Sequence, residues 1–444
     1  TRYGTVTGVQ TCALPILLDP KFEGLSEMSE GQRRKDLRAE LGNYFVQRRR
    51  LDLKEEWGTE GADFPDRETR EATYTLSGDW GQLFDDVLAY ARALVERSVG
   101  ESKLRQRMSW WAALALLRCV SSSPAAASAS LRTKLFNLQN GTDRTSQAGA
   151  TPDAASASSE EELADDLEAM ATLAVLDGAE EEFSAEEAAP GADLADSADA
   201  ALLKDLIARS DRLRGKAQDP KLKQLLKELK GLLAEGFRPV IFCRFRPTAH
   251  YLAEQLEEEL PKRAHVVMAV TGDLPPEERV ERIDELQNEL AGGKVPVLVA
   301  TDCLSEGIDL QHSFDAVVHY DLCWNPTRHE QREGRVDRFG QARSAVRALM
   351  LHGGDSNPVD ERVRTVILEK EKTIRKELGV SVPIPGNANT ITQAVLGGIF
   401  GKAAKAIQGL LNLGLPGFGD AGGGSDSDLD AVIDAEWQSA KENA

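Results

Sequence analysis

The sequence has 444 residues, 41% of them hydrophobic and 28% charged, with a formal charge of −20. That length and apolar content allow two or three domains with real cores and exclude a chain too polar to fold. Sixteen carboxylates and no Lys or Arg lie between Arg144 and Lys204, so the acidity is local and does not exclude a basic face elsewhere.

Five cysteines (Cys12, Cys119, Cys243, Cys303 and Cys323) contain no C-x-x-C pair. Their odd number argues against a disulfide framework and for a reducing cytoplasmic setting. Neither they nor the six histidines show ligand spacing, so no metal site is expected. The apolar stretch from Ala394 to Gly417 is interrupted by Lys402 and Lys405 and ended by Pro416, so no membrane partner is expected.

In chain order, residues 1–16 share no periodicity with the rest of the chain and read as a non-native leader. Residues 17–64 contain a charged helix over about 30–57 that ends in Arg48-Arg49-Arg50. Residues 65–138 form a linker strand and a helical insertion: Arg70 to Leu76 alternates like a strand, and Leu83, Val87, Leu88, Ala91 and Leu94 share one helical side. Trp110, Trp111, Leu114 and Leu117 continue the helical spacing and are expected in a core rather than stacked on bases. Residues 139–202 are rich in Ala, Ser, Asp and Glu and are expected to be a disordered acidic insertion.

Residues 203–380 read as an α/β lobe. Leu225, Leu229 and Leu232 mark a helix that ends at Gly236, and Val240 to Cys243 is a continuous β-prone run. Ala249, Leu252, Leu256 and Leu260 mark the next helix, His265 to Val270 a strand, and Val280, Ile283, Leu286 and Leu290 a helix stopped by Gly292-Gly293. Val297 to Ala300, Ala316 to Tyr320 and Val346 to Leu351 complete five strands, and Asp360 to Leu378 is a closing helix. Strands alternating with helices predict a parallel sheet with helices on both faces, and ligands bind such sheets at the carboxyl ends of the strands. Residues 381–444 read as a weakly structured, truncated extension.

Two blocks carry the chemistry. Thr301-Asp302 leads from a buried strand to Glu306-Gly307-Ile308-Asp309-Leu310-Gln311, and Gln331-Arg332-Glu333-Gly334-Arg335-Val336-Asp337-Arg338-Phe339-Gly340-Gln341 comes after Asn325-Pro326. If the second block is helical, Gln331, Arg335 and Arg338 share a face suited to spread-out negative charge. The bland alternative for the two arginines is a pair of surface ion pairs with Glu330, Glu333 or Asp337.

These blocks resemble motifs V and VI of superfamily-two helicases and translocases in their Swi/Snf-like, bacterial form. The resemblance implies a RecA-like carboxyl-terminal helicase lobe, with residues 17–64 as the end of a first motor lobe. It implies catalytic roles for Arg335 and Arg338, ATP contacts for Gly307, Asp309 and Gln331, and nucleic-acid contacts for Thr301, for Arg244 of motif IV and for Thr271-Gly272. No G-x-x-x-x-G-K-[ST] loop occurs in the sequence, so ATP and Mg2+ are expected to be held mainly by a preceding lobe, and the polypeptide alone is expected to be inactive. Double-stranded DNA is the expected track, with phage-defence proteins or RNA polymerase as possible partners. An RNA helicase lobe and a non-catalytic docking module are the alternatives.

Overall fold

Alternation along each short strand sets the layering. In a computed structural model that describes residues 64–98, 103–140, 199–305 and 307–365, six strands form one all-parallel sheet. They are β1 (Asp66–Thr73), β2 (Pro239–Phe242), β3 (His265–Val270), β4 (Val295–Ala300), β5 (Ala316–His319) and β6 (Ala345–His352), in the spatial order β1-β6-β5-β2-β4-β3. The helices are α1 (Gly78–Arg97), α2 (Lys103–Ser122), α3 (Pro124–Asn140), α4 (Asp199–Arg212), α5 (Pro220–Ala234), α6 (Arg246–Glu259), α7 (Pro276–Ala291), α8 (Pro326–Glu333) and α9 (Pro358–Val363).

Successive residues of a strand point to opposite faces, and two cores result. Ile241, Val297, Val299, Val318 and Leu349 join one core with α1, α2, α5 and α6. Val240, Phe242, Leu298, Ala300 and Val317 join the other with Ile283 and Leu286 of α7 and with Val336 of the second motif block. The architecture is therefore the expected RecA-like sheet covered on both faces, with a helical insertion before it.

Three local expectations change. The linker strand is not separate: β1 starts earlier than the alternation suggested and lies parallel to β6, giving the sheet a sixth strand. Val280, expected on the apolar face of its helix, is 47% exposed, and the buried residues of α7 are Ile283 and Leu286. The acidic stretch is bounded by ordered helix on both sides, since α3 runs through Asn140 and α4 begins at Asp199.

Trp111, Leu114 and Leu117 lie in the core, as their spacing predicted. The leader, the Arg48–Arg50 helix, residues 141–198 of the acidic insertion and everything after residue 365 lie outside the described residues. Among the described residues no helix is long and apolar enough to cross a membrane, and no group of three or more His, Cys, Asp or Glu could hold a metal ion.

Candidate functional site

In a parallel sheet all carboxyl ends share one edge, and here that edge collects the motif residues. Arg244 follows β2, Thr301 follows β4 and Thr271-Gly272 follows β3, so the three expected nucleic-acid contacts come from three adjacent strands. Each is tied down locally. The Thr301 amide donates to the Val270 carbonyl at 3.3 Å and its hydroxyl to Cys303 Sγ at 3.5 Å. The Thr271 hydroxyl donates to Asp273 Oδ2 at 3.3 Å. Arg244 is buried, its amide donating to Asp321 Oδ2 at 2.9 Å and its guanidinium lying 3.7 Å from Asp302 Oδ2.

The second block departs from the single helix face that its spacing suggested. Helix α8 stops at Glu333, and Gly334 to Arg338 run through tight turns, with the Arg335 amide bonded to the Arg332 carbonyl and the Val336 amide to that of Glu333. Bonds of this i−3 kind wind the chain tighter than an α-helix, and Gly340 at φ +81° completes the change of direction. Val336 is buried in the second core, so the turn is anchored between the two arginines. Gln331 sits half-buried on the last turn of α8.

Both arginines face the loop of the first block. Arg335 donates to the Ile308 carbonyl at 3.2 Å, and Arg338 lies 3.6 Å from Asp309 Oδ2. Arg338 and Asp309 keep 31% and 41% of their side-chain surface. Gly307 between them and the sheet has φ +82°, and a Cβ there would meet nothing within 4 Å. Glycine reaches that conformation without strain and leaves room for a polyanion to approach the backbone. The donors here suit phosphate oxygens, which guanidinium groups bind in pairs.

Charges that sequence reasoning passed over hold this edge together. Arg332, fully buried, donates Nε to Asp302 Oδ1 at 2.7 Å, Nη2 to Oδ2 at 3.0 Å and Nη1 to the Asp321 carbonyl at 3.2 Å. Burial works against the Asp302 charge, but Arg332, Arg244 and Arg328 outweigh it and hold the acid down at about 2. Behind them Lys221 donates to Asp321 Oδ1 at 2.8 Å and to the Ser121 carbonyl at 3.0 Å. Asp321 Oδ2 also accepts from Ser122 at 2.8 Å, so the helical insertion is hydrogen-bonded to the strand ends.

The rings of His319 and His329 pack at a tilt of 52° with centroids 4.6 Å apart, and burial brings both down to about 3. They are neutral packing residues: His319 Nε2 lies 3.1 Å from Glu333 Oε1, and His329 Nε2 accepts from the Cys323 amide at 3.1 Å. The position of Arg332 inside the second block was a usable signal for its role. Lys221 and Asp321 carried none, being 100 positions apart.

Residues 220–340 match the model of the helicase conserved C-terminal domain. The chain carries a helicase C-terminal domain. Among curated proteins it is similar to "ATP-dependent RNA helicase eIF4A" of Meyerozyma guilliermondii, 36% identical over 107 residues, which is 24% of this chain and 25% of that protein. "Uncharacterized ATP-dependent helicase YqhH" of Bacillus subtilis is 37% identical over 91 residues, 20% of this chain and 16% of that protein. The chain thus spans a quarter or less of the length of these relatives. Among solved structures it is similar to the C-terminal part of the Fun30 ATPase domain, at 13% identity and a TM-score of 0.43 over 77% of this chain and 98% of that one. The Sulfolobus solfataricus SWI2/SNF2 ATPase core in complex with double-stranded DNA is 14% identical, with a TM-score of 0.43 over 86% of this chain and 58% of that one.

Proposed function

We propose that this lobe is the carboxyl-terminal half of an ATP-dependent motor of the Swi/Snf-like type that moves along double-stranded DNA. In this reading Arg335 and Arg338 stabilise the charge that develops on a transferring phosphoryl group, Gly307, Asp309 and Gln331 line the nucleotide, and a first lobe holds most of the ATP and its Mg2+. The observation that supports the reading is the meeting of the two blocks: both arginines are held against residues 308 and 309, in the loop that follows β4. Charge spread over equatorial phosphoryl oxygens is what such groups stabilise best.

Arg244, Thr271, Gly272 and Thr301 form the track side. Contacts of this kind to a sugar-phosphate chain position a protein without reading sequence, and because Thr301, Thr271 and Arg244 are buried in this lobe, the track is held here only once these strand ends are uncovered. Phage-defence proteins or RNA polymerase are the partners proposed for the complete protein. An RNA helicase lobe is the second reading, supported by sequence relatives that carry that name.

Two experiments test this. Phosphate release by the 444-residue chain alone, with and without DNA, is expected to show no turnover; clear turnover refutes the need for a second lobe. In the complete protein, ATP-driven displacement of a triplex-forming strand without separation of the duplex is expected. Separation of an RNA duplex instead establishes the second reading.

A further inference from the structure

Glu330, Glu333 and Asp337 lie within a few positions of Arg335 and Arg338, and they are the obvious partners to capture those arginines. A guanidinium captured by one of those three acids is drawn away from residues 308 and 309. In the structure a third arginine bonds to all three acids, and Glu333 Oε1 also lies 3.1 Å from His319 Nε2. Arg67, the second residue of β1, donates Nε to Asp337 Oδ2 at 2.6 Å and Nη1 to Glu333 Oε2 at 2.6 Å and to Glu330 Oε1 at 3.0 Å. Its side chain is only 17% exposed.

A second contact fixes the same segment to the same stretch of chain: the Phe64 ring meets Phe339 edge-on, with centroids 5.7 Å apart. Residues 64–67 thus grip the arginine-bearing turn on both sides of Arg335 and Arg338.

We infer that Arg67 is a positioning residue for Arg335 and Arg338, occupying the three acids beside them so that both arginines stay turned toward residues 308 and 309. The inference rests on the motor reading above. Donor geometry supports it: a guanidinium offers five N–H groups in a fixed plane and can serve three carboxylates at once, whereas an ammonium is a point charge. Burial raises the stakes, because an uncompensated acid in this setting seeks the nearest cation. Once Arg67 is removed, Glu333 keeps only the neutral His319 at 3.1 Å, Arg332 is already engaged by Asp302, and Arg335 and Arg338 are the remaining arginines of the same block.

The test compares steady-state ATP hydrolysis by the complete protein and its variants at saturating nucleic acid. R67M is expected to lower kcat by about tenfold or more, while KM for ATP and nucleic-acid affinity change by less than about twofold. R67K is expected to fall between the two. The deciding variant removes the acids as well: R67M/E330Q/E333Q/D337N is expected to regain kcat to within roughly threefold of the unmodified protein, because nothing is left to trap the arginines.

A strut that merely braces the fold predicts the opposite, a combined variant as slow as R67M or slower, and that result overturns the inference. Should R67M fail to fold, R67Q/E330Q/E333Q/D337N keeps amide hydrogen bonding without the charges; if it is folded but slow, the inference falls. An unmodified protein that does not hydrolyse ATP overturns the motor reading and this role with it. A hydrolysing protein whose R67M variant keeps its kcat overturns only the role of Arg67.

Discussion

Arg332 and Asp302 meet as a buried two-pronged ion pair, Nε to Oδ1 at 2.7 Å and Nη2 to Oδ2 at 3.0 Å. Thr301 directly precedes Asp302, and Arg332 sits three residues before Arg335, so the pair joins the expected track side to the expected nucleotide side. Removing one partner of a buried pair strands the other charge, a loss of about 3–5 kcal/mol. R332M is therefore expected to lower the unfolding free energy in urea toward the lower end of that range, since Arg244 still lies 3.7 Å from Asp302. The double variant D302N/R332M is expected to recover part of the loss. A double variant less stable than R332M would show that Asp302 serves other partners more than Arg332.

Arg335 and Arg338 are expected to respond differently to conservative change. Arg335 is 9% exposed and fixed by the Ile308 carbonyl, whereas Arg338 keeps 31% of its side-chain surface and faces Asp309. A lysine at 335 cannot reproduce the planar fork, so in the complete protein R335K is expected to cut kcat on the order of a thousandfold, the scale of a lost arginine in phosphoryl transfer. R338K is expected to cost less, because a long exposed ammonium can still reach an anion. Single-turnover hydrolysis at saturating ATP checks this. Equal and small losses at both positions would remove the arginines from the chemistry.

Stability is expected to fall as the solution is acidified from pH 6.5 to about 4. His319 and His329 stay neutral in the fold down to about 3 because burial opposes their charge, but the unfolded chain takes up both protons below about 6.5. Their contribution is therefore complete above that value and is lost on acidification. Asp219 acts in the opposite sense: burial pushes it up to about 7, so the fold keeps a proton that the unfolded chain releases above about 3.9.

The balance of these three groups is one extra proton on the unfolded chain, a slope of about 1.4 kcal/mol per pH unit. Urea unfolding across this range measures it. Burial also raises Asp360, which opposes the fall in the same sense; D219N removes one of these two opposing groups and is expected to steepen the fall. A slope left unchanged when His319 and His329 are both replaced by glutamine contradicts the assignment of neutral, buried imidazoles.

The sequence alone determined the strands β2 to β6, the helices between them and the two motif blocks, because each rests on local periodicity or on residues close together in the chain. Leu225, Leu229 and Leu232 had to share a helix face wherever that face was packed. Only the tertiary structure decided that residues 66–73 belong to the sheet, since a parallel pairing with residues 345–352 leaves no trace in either segment. It also decided which charges meet: Arg67 with acids more than 260 positions away, and Lys221 with Asp321. Long-range ion pairs depend on where the backbone brings side chains, and charge attracts without regard to sequence spacing. The helix face expected for Gln331, Arg335 and Arg338 gave way to a turn whose Val336 is buried in the second core, a contact that sequence spacing does not encode.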